Sequence, residues 1–127
     1  MRSLEKNFEG AERLSIISDF DFYNLNLVQG FRLERENTGQ TIQTYKVSLE
    51  MLYECEQSTF EVLLELTGVR HLTFPNVCGG FCLSEIEVDD ISTDQLEGVK
   101  YRLKDYGGTG FEVLSRGFSV IRCNRQL

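Results

Sequence analysis

Tyr45-Lys46-Val47-Ser48-Leu49-Glu50-Met51-Leu52-Tyr53 puts Tyr45, Val47, Leu49, Met51 and Tyr53 at alternate positions, with Lys46, Ser48 and Glu50 between them. An extended chain sends successive side chains to opposite faces, so this stretch reads as a strand with one side in a core and one in water. Upstream, residues 24–35 behave alike: Leu25, Leu27, Gln29, Phe31 and Leu33 share one parity, and Asn26, Gly30, Arg32 and Glu34 the other. Asn37-Thr38-Gly39-Gln40 supplies the residues that tolerate positive φ, so the two runs are expected to form a long hairpin.

Downstream, Cys55-Glu56-Gln57-Ser58 breaks the pattern. Phe60, Val62, Leu64 and Leu66 then alternate with Glu61, Leu63 and Glu65 as a third strand. Gly68 interrupts it, Val69 to Phe74 is again extended, and Pro75, lacking the N–H that a central ladder needs, opens a loop to Gly80. A strand is expected from Phe81 to Val88, with Ile86 and Val88 inward and Glu85 and Glu87 toward solvent. Ser92, Gln95 three residues later and Gly98 have the spacing of a short capped helical turn. Tyr101 and Leu103, alternating with Arg102 and Lys104, pair through Gly107-Gly108-Thr109-Gly110 with Phe111 and Val113 in a second hairpin. A bulge at Gly117 would reconcile that face with Phe118 and Val120. Leu4, Phe8, Ala11, Leu14 and Ile17 have helical spacing around Gly10. The expectation is a single domain over 1–127, mainly β: an antiparallel β-sandwich or strongly curved sheet of about 6–8 strands with one or two short helices.

Composition bounds the function. The chain has 127 residues, 41% hydrophobic and 26% charged, enough to bury a core without disulfide or metal staples. A net charge of -7 repels nucleic acid and anionic lipid, which leaves basic proteins as the charge-driven partners. The acidity is concentrated in Glu85, Glu87, Asp89, Asp90, Asp94 and Glu97, a segment free of Lys and Arg. Arg116, Arg122 and Arg125 come after the last acid, Glu112. No apolar run approaches the roughly 18 residues that span a bilayer, and Met1-Arg2-Ser3-Leu4-Glu5 opens no signal-peptide core, so a cytoplasmic location is expected. Cys55, Cys78, Cys82 and Cys123 are then expected to be reduced thiols.

Nucleophilic catalysis wants a base beside the nucleophile, and the only histidine, His71, lies in an apolar extended stretch with no Gly-x-Ser-x-Gly elbow anywhere. No catalytic residue is assigned and no enzymatic activity is expected. Cys78-Gly79-Gly80-Phe81-Cys82 brings two soft ligands close, but zinc needs further ligands and only the distant Cys55 and Cys123 remain. His71, Cys78 and Cys82 are therefore the candidates for a metal, against the reading of loop thiols around a tight turn; no cofactor is expected. The thiol spacing is not Cys-x-x-Cys, and no basic neighbour stabilises a thiolate there. Asp89, Asp90 and Asp94 lack the pattern of a calcium loop and read as a solvated face. Glu85 and Glu87 come without the tryptophan platform of a sugar site. Gly107 to Gly110 joins strands, so it is no phosphate cradle. Phe20, Phe22, Tyr23, Phe31 and Tyr45 do not interleave with basic residues as in single-strand nucleic-acid platforms, and most belong to the core.

Val69 to Leu72, Ile86-Glu87-Val88-Asp89-Asp90-Ile91, Gln95-Leu96-Glu97-Gly98-Val99-Lys100-Tyr101, Asp105-Tyr106 and Phe118 together resemble small bacterial β proteins of the Immunity protein 50 type. The resemblance covers about half the chain and rests on hydrophobic spacing. Where those proteins carry a His-Asp pair near the start, this chain has Asp19-Phe20-Asp21. The resemblance implies a non-enzymatic, toxin-neutralising protein. Its expected binding surface is Glu85, Glu87, Asp89, Asp90, Asp94 and Glu97, and its expected partner a basic toxin. The alternatives are a small-molecule or metal-binding domain around His71, Cys78 and Cys82, and a module that self-associates through strand edges into a homo-oligomer.

Overall fold

In the computed structural model, which describes residues 8–25, 27–36, 44–55, 58–74, 83, 85–92 and 98–126, these stretches form strands β1 (Leu27–Arg35), β2 (Tyr45–Cys55), β3 (Ser58–Val69), β4 (His71–Thr73), β5 (Ile86–Asp90), β6 (Tyr101–Asp105), β7 (Glu112–Ser115) and β8 (Gly117–Gln126). They make two antiparallel four-stranded sheets, ordered β1-β2-β3-β8 and β4-β7-β6-β5. Both expected hairpins, β1–β2 and β6–β7, are present.

One bent ribbon joins the sheets. β3 runs on through Arg70 into β4, and β7 through Arg116 into β8, so the pair β3–β8 of the first sheet continues as β4–β7 of the second. At the bend the Arg116 N–H donates to the carbonyls of Thr67 and Gly68 at 3.0 and 3.2 Å, and the Arg70 N–H donates to that of Leu114 at 3.0 Å. Gly68 has φ 60°, and the Glu36 carboxylate accepts from its N–H and from the Thr44 hydroxyl, each at 2.8 Å. A Cβ on Gly68 would lie 2.8 Å from that of Arg116. Gly68→Ala is expected to cost about 2 kcal/mol, combining the left-handed conformation with the crowding. A lower urea midpoint at unchanged m would register it.

The core is one cluster fed by both sheets. Val47, Leu49, Met51 and Tyr53 of β2 and Phe60, Val62, Leu64 and Leu66 of β3 are buried, as their alternation predicts, against Ile86, Val88, Leu103 and Val113 of the second sheet. Tyr45 departs from its row: the β2–β3 register shifts between Tyr45 and Val47 and leaves Tyr45 exposed. β1 departs too. Val28 pairs with Met51 and Gly30 with Glu50, which leaves Gln29 as a bulge and moves Leu27 to the opposite face from Phe31 and Leu33. β1 is an edge strand, and Leu33 is 48% exposed. The bulge expected at Gly117 falls instead at Ile121, between the pairs Leu63–Arg122 and Leu64–Val120, while the change of face comes from the ribbon bend at Arg116.

Of the helix expected around Leu4, Phe8, Ala11, Leu14 and Ile17, the part before Phe8 lies outside the described residues, and the described part is 3-10 rather than α. Gly10, at φ 81°, precedes a 3-10 helix, η1 (Ala11–Ile16), and a second, η2 (Phe22–Asn24), follows it. Glu9 forms a parallel bridge with Ser119, so this segment covers the free edge of β8. Phe8 packs on Phe118 with ring centroids 5.1 Å apart, and Phe20 stacks on Tyr53 at 5.0 Å. The turn at 37–40, the loop at 75–80 with the strand start at Phe81, and most of the helical turn at 91–98 lie outside the described residues. Among the described residues, no helix is long and apolar enough to cross a membrane.

Candidate functional site

The outward side chains of the second sheet form rows whose composition is set by the register. One row is His71, Leu114, Arg102, Asp89; the next is Thr73, Glu112, Lys104, Glu87. The acids of β5 therefore face cations of β6, although the acidic segment has no base of its own. The Arg102 guanidinium lies 3.7 Å from Asp89 Oδ2, and Lys104 places its ammonium 5.1 Å from the centre of the Tyr106 ring.

Asp89 contradicts the expectation of a wholly solvated acidic face. It is only 1% exposed, a short side chain set among the longer Glu87 and Arg102, and neither oxygen accepts a hydrogen bond among the described residues. The 3.7 Å to Arg102 is an ion-pair distance, too long for a hydrogen bond. Burial pushes the Asp89 carboxyl up from its ordinary value, the Glu87 charge adds to the rise, and Arg102 opposes it. Glu87 is half-buried: Oε1 accepts from the Tyr23 hydroxyl at 2.9 Å, and Oε2 is buried without a partner among the described residues. Glu85 is exposed. Asp90 is occupied locally, its Oδ1 accepting from the Ser92 N–H at 2.9 Å and hydroxyl at 2.6 Å, which makes it a turn residue. Asp94 and Glu97 lie outside the described residues.

Two tyrosines border this cluster, and sequence reasoning assigned neither to it. Tyr23, exposed on η2, has its hydroxyl pushed up by the hydrogen bond to Glu87, by burial and by the charges of Glu87, Glu85 and Asp21. Tyr106 is raised chiefly by burial, with Arg102 pulling the other way and Asp89 and Glu87 adding to the rise. Its backbone is fixed to the start of β5, since the Tyr106 N–H donates to the Glu85 carbonyl at 2.8 Å. Asp105 completes the frame. Only 2% exposed, it accepts at Oδ1 from the N–H groups of Glu85 and Gly107, both at 2.9 Å, and at Oδ2 from the Thr109 hydroxyl. That one carboxylate ties the β6–β7 turn to the start of β5.

η2 brings a second acidic group to the same region. Asp21 caps it, accepting from the Tyr23 N–H at 3.0 Å, and donates its own N–H to the Tyr53 hydroxyl at 3.2 Å. Between η1 and η2 lies a cleft of about 670 Å³, with Phe8, Leu14 and Phe20 among its apolar walls and Glu12, Asp19 and Asp21 among its polar ones. Arg102 had a readable signal, its outward parity on the strand that carries Tyr101 and Leu103. Tyr23 had none, because its partner Glu87 is 64 residues away.

His71 is not brought to this cluster. It is exposed on the opposite edge strand, three strands and roughly 14 Å from Asp89 at ordinary strand spacing. Its Nε2 lies 2.9 Å from the Thr73 hydroxyl and 3.4 Å from a Glu112 oxygen. Cys78 and Cys82 are outside the described residues. Cys55 and Cys123 are free thiols; burial pushes the Cys123 thiol up, which keeps it protonated and a poor nucleophile. Among the described residues, no group of three His, Cys, Asp or Glu is placed to hold a metal ion. Compared with protein-family models, curated proteins and solved structures, the chain matches none of them.

Proposed function

We propose that this chain is a binding protein that holds a basic protein partner on the outer face of the second sheet beside η2, and that it works as a toxin-neutralising immunity protein. The supporting observation is convergence. Asp21 from the N-terminal segment and Glu85 and Glu87 from the start of β5 all act on the exposed Tyr23 hydroxyl, with Tyr106 next along the same cluster. Tyrosines are over-represented among residues that dominate interface energy, and acids around them select a positively charged partner and speed its approach. The net charge of -7 extends that attraction beyond the contact itself. The resemblance to Immunity protein 50 type proteins supports a toxin as the partner class.

Co-expression and co-purification with a toxin encoded beside this chain tests the reading. Glu85→Lys and Glu12→Lys reverse exposed charges on the face and in the cleft. Each is expected to weaken the complex at least tenfold, about 1.4 kcal/mol, mostly through a slower on-rate that is steep in salt. Unchanged affinity in both variants would remove this surface from consideration.

A further inference from the structure

The edge strand of a sheet carries backbone N–H and C=O groups with no strand beside them, and proteins cover, shorten or pair such edges. Three of the four sheet edges here are short or occupied. Glu9 bridges to Ser119 along β8, β4 has three residues, and η2 lies against β5 through the Tyr23–Glu87 hydrogen bond. β1, nine residues long, is the exception. Its ladder decides which groups look outward. The Glu36 N–H donates to the Thr44 carbonyl at 3.0 Å, and Glu36 stands opposite Thr44 in the continuation of the β1–β2 register. Bonded pairs of an antiparallel ladder recur at every second residue, so Glu36, Glu34 and Arg32 turn their backbone groups toward β2. Those of Leu33 and Arg35 point away from it, and no group among the described residues bonds them.

We propose that β1 pairs with β1 of a second copy of this chain, antiparallel about a two-fold axis through Leu33, and so joins two four-stranded sheets into one of eight strands. Apolar side chains at this edge favour its burial. Leu33 is 48% exposed, and Tyr45, opposite Arg35, and Phe74, whose ring lies 4.9 Å from that of Phe31, are exposed beside it. The Leu33 N–H and C=O groups would bond to those of Leu33 in the second copy, and the two leucines would shield each other on the core side of the joined sheet.

Charge complementarity selects both the occupant and the register. The outward backbone groups of one copy must meet outward groups of the other, which places the axis on a residue and not between two. An axis at Arg32, Glu34 or Arg35 would set a charge against its own copy, and one at Phe31 would run the Gln29 bulge into Leu33 of the second copy. At Leu33, by contrast, Arg32 falls opposite Glu34 of the second copy, Glu34 falls opposite its Arg32, and Arg35 falls opposite its Phe31, an aromatic ring that suits a cation. Glu34 already lies 3.2 Å from Arg32 and 3.7 Å from Lys46, so the alternating charges of the two copies would form one network across the seam. Residues 32–36 hold Arg32 and Arg35 against Glu34 and Glu36, which leaves the seam neutral in a chain of net charge -7. A foreign strand without this alternation would meet like charges, so the edge is guarded against strangers and open to its own copy. The face proposed for the basic partner belongs to the other sheet and stays accessible in the dimer, so the two proposals stand or fall separately.

Sedimentation of the full chain over a concentration series from micromolar to millimolar, with amide exchange followed by NMR, tests the pairing. A monomer–dimer equilibrium is expected, with protection of the Leu33 amide growing as dimer accumulates. Arg32→Glu and Glu34→Arg each turn attraction into repulsion at both symmetric cross-strand pairs, so each should move the dimer midpoint at least tenfold to higher concentration. An equimolar mixture of these two single variants should dimerise again, because each then faces opposite charges. The double variant Arg32→Glu/Glu34→Arg should do so on its own, and it decides the matter if a single variant fails to fold. A chain monomeric at every concentration, a dimer indifferent to both single reversals, or loss that neither the mixture nor the double variant restores would each overturn the proposal. Leu33 protection that appears only in the toxin complex would do the same, since a strand of the partner would then be what fills this edge.

Discussion

Adding one methyl group at Gly10 should destabilise the protein by about 3 kcal/mol and lower its melting temperature by on the order of 10 °C. Two penalties meet at this position. The φ of 81° belongs to the left-handed region, which costs a residue with a Cβ about 1–2 kcal/mol. The new Cβ would also run into the carbonyl oxygen of Val120, a backbone atom that no rotamer change can move. The close approach exists because the Val120 N–H donates to the Glu9 carbonyl at 2.9 Å. Relief therefore requires the segment carrying Phe8, Leu14 and Ile17 to lift off β8 and uncover part of the core. Amide exchange checks the cause as well as the size: in Gly10→Ala the Val120 amide should exchange far faster, while amides of the β2–β3 ladder keep their protection relative to global unfolding. A loss below about 1 kcal/mol would mean that the segment adjusts freely and that its docking is not what holds this edge.

Asp105→Ala should cost a similar amount, about 3–4 kcal/mol, and it should also reach the binding face. Hydrogen bonds to a charged acceptor are worth roughly 1.5–3 kcal/mol each, and this carboxylate takes three of them while itself buried. Removing it orphans the N–H groups of Glu85 and Gly107 and the Thr109 hydroxyl together, so the cost is that of breaking a network. Asp105→Asn keeps one carbonyl acceptor and should recover about half of the loss. The tie also orients Glu85 and Tyr106, so Asp105→Ala is expected to weaken partner binding even at a temperature where the protein remains folded. Denaturant unfolding and affinity measured on the same two variants separate the effects.

The sheets were legible from the sequence wherever both faces of a strand had a settled fate. In β2 and β3 one face meets the core and the other meets water, so the period of two emerges cleanly from Val47 to Tyr53 and from Phe60 to Leu66. β1 blurred it, because an edge strand buries neither face fully and because the bulge at Gln29, beside Gly30, switches parity partway along the run. The ribbon bend that makes two sheets from the strands was marked by the interrupting Gly68 and by the change of face near Gly117. The site was half legible. Glu85 and Glu87 alternate as surface acids do, and Asp89 continues the alternation; its burial comes with the Arg102 set across from it on β6, which no local pattern encodes. The charge pattern along the chain also overstated the acidity of the surface, since β6 sets Arg102 and Lys104 directly across from two of those acids.

A basic partner seated on the outer face of the second sheet, against η2, would shield that face from solvent and leave the first sheet untouched. Amide hydrogen exchange of the full chain, alone and in complex with the co-purified toxin, reads this out residue by residue. Protection is expected at Tyr23, at Glu85 to Asp89 and at Tyr106, with the outward face of the first sheet around Lys46, Glu50 and Glu65 unchanged. Protection confined to that first-sheet face, or none at Tyr23 and Tyr106 in a saturated complex, would place the partner elsewhere and refute the proposed surface.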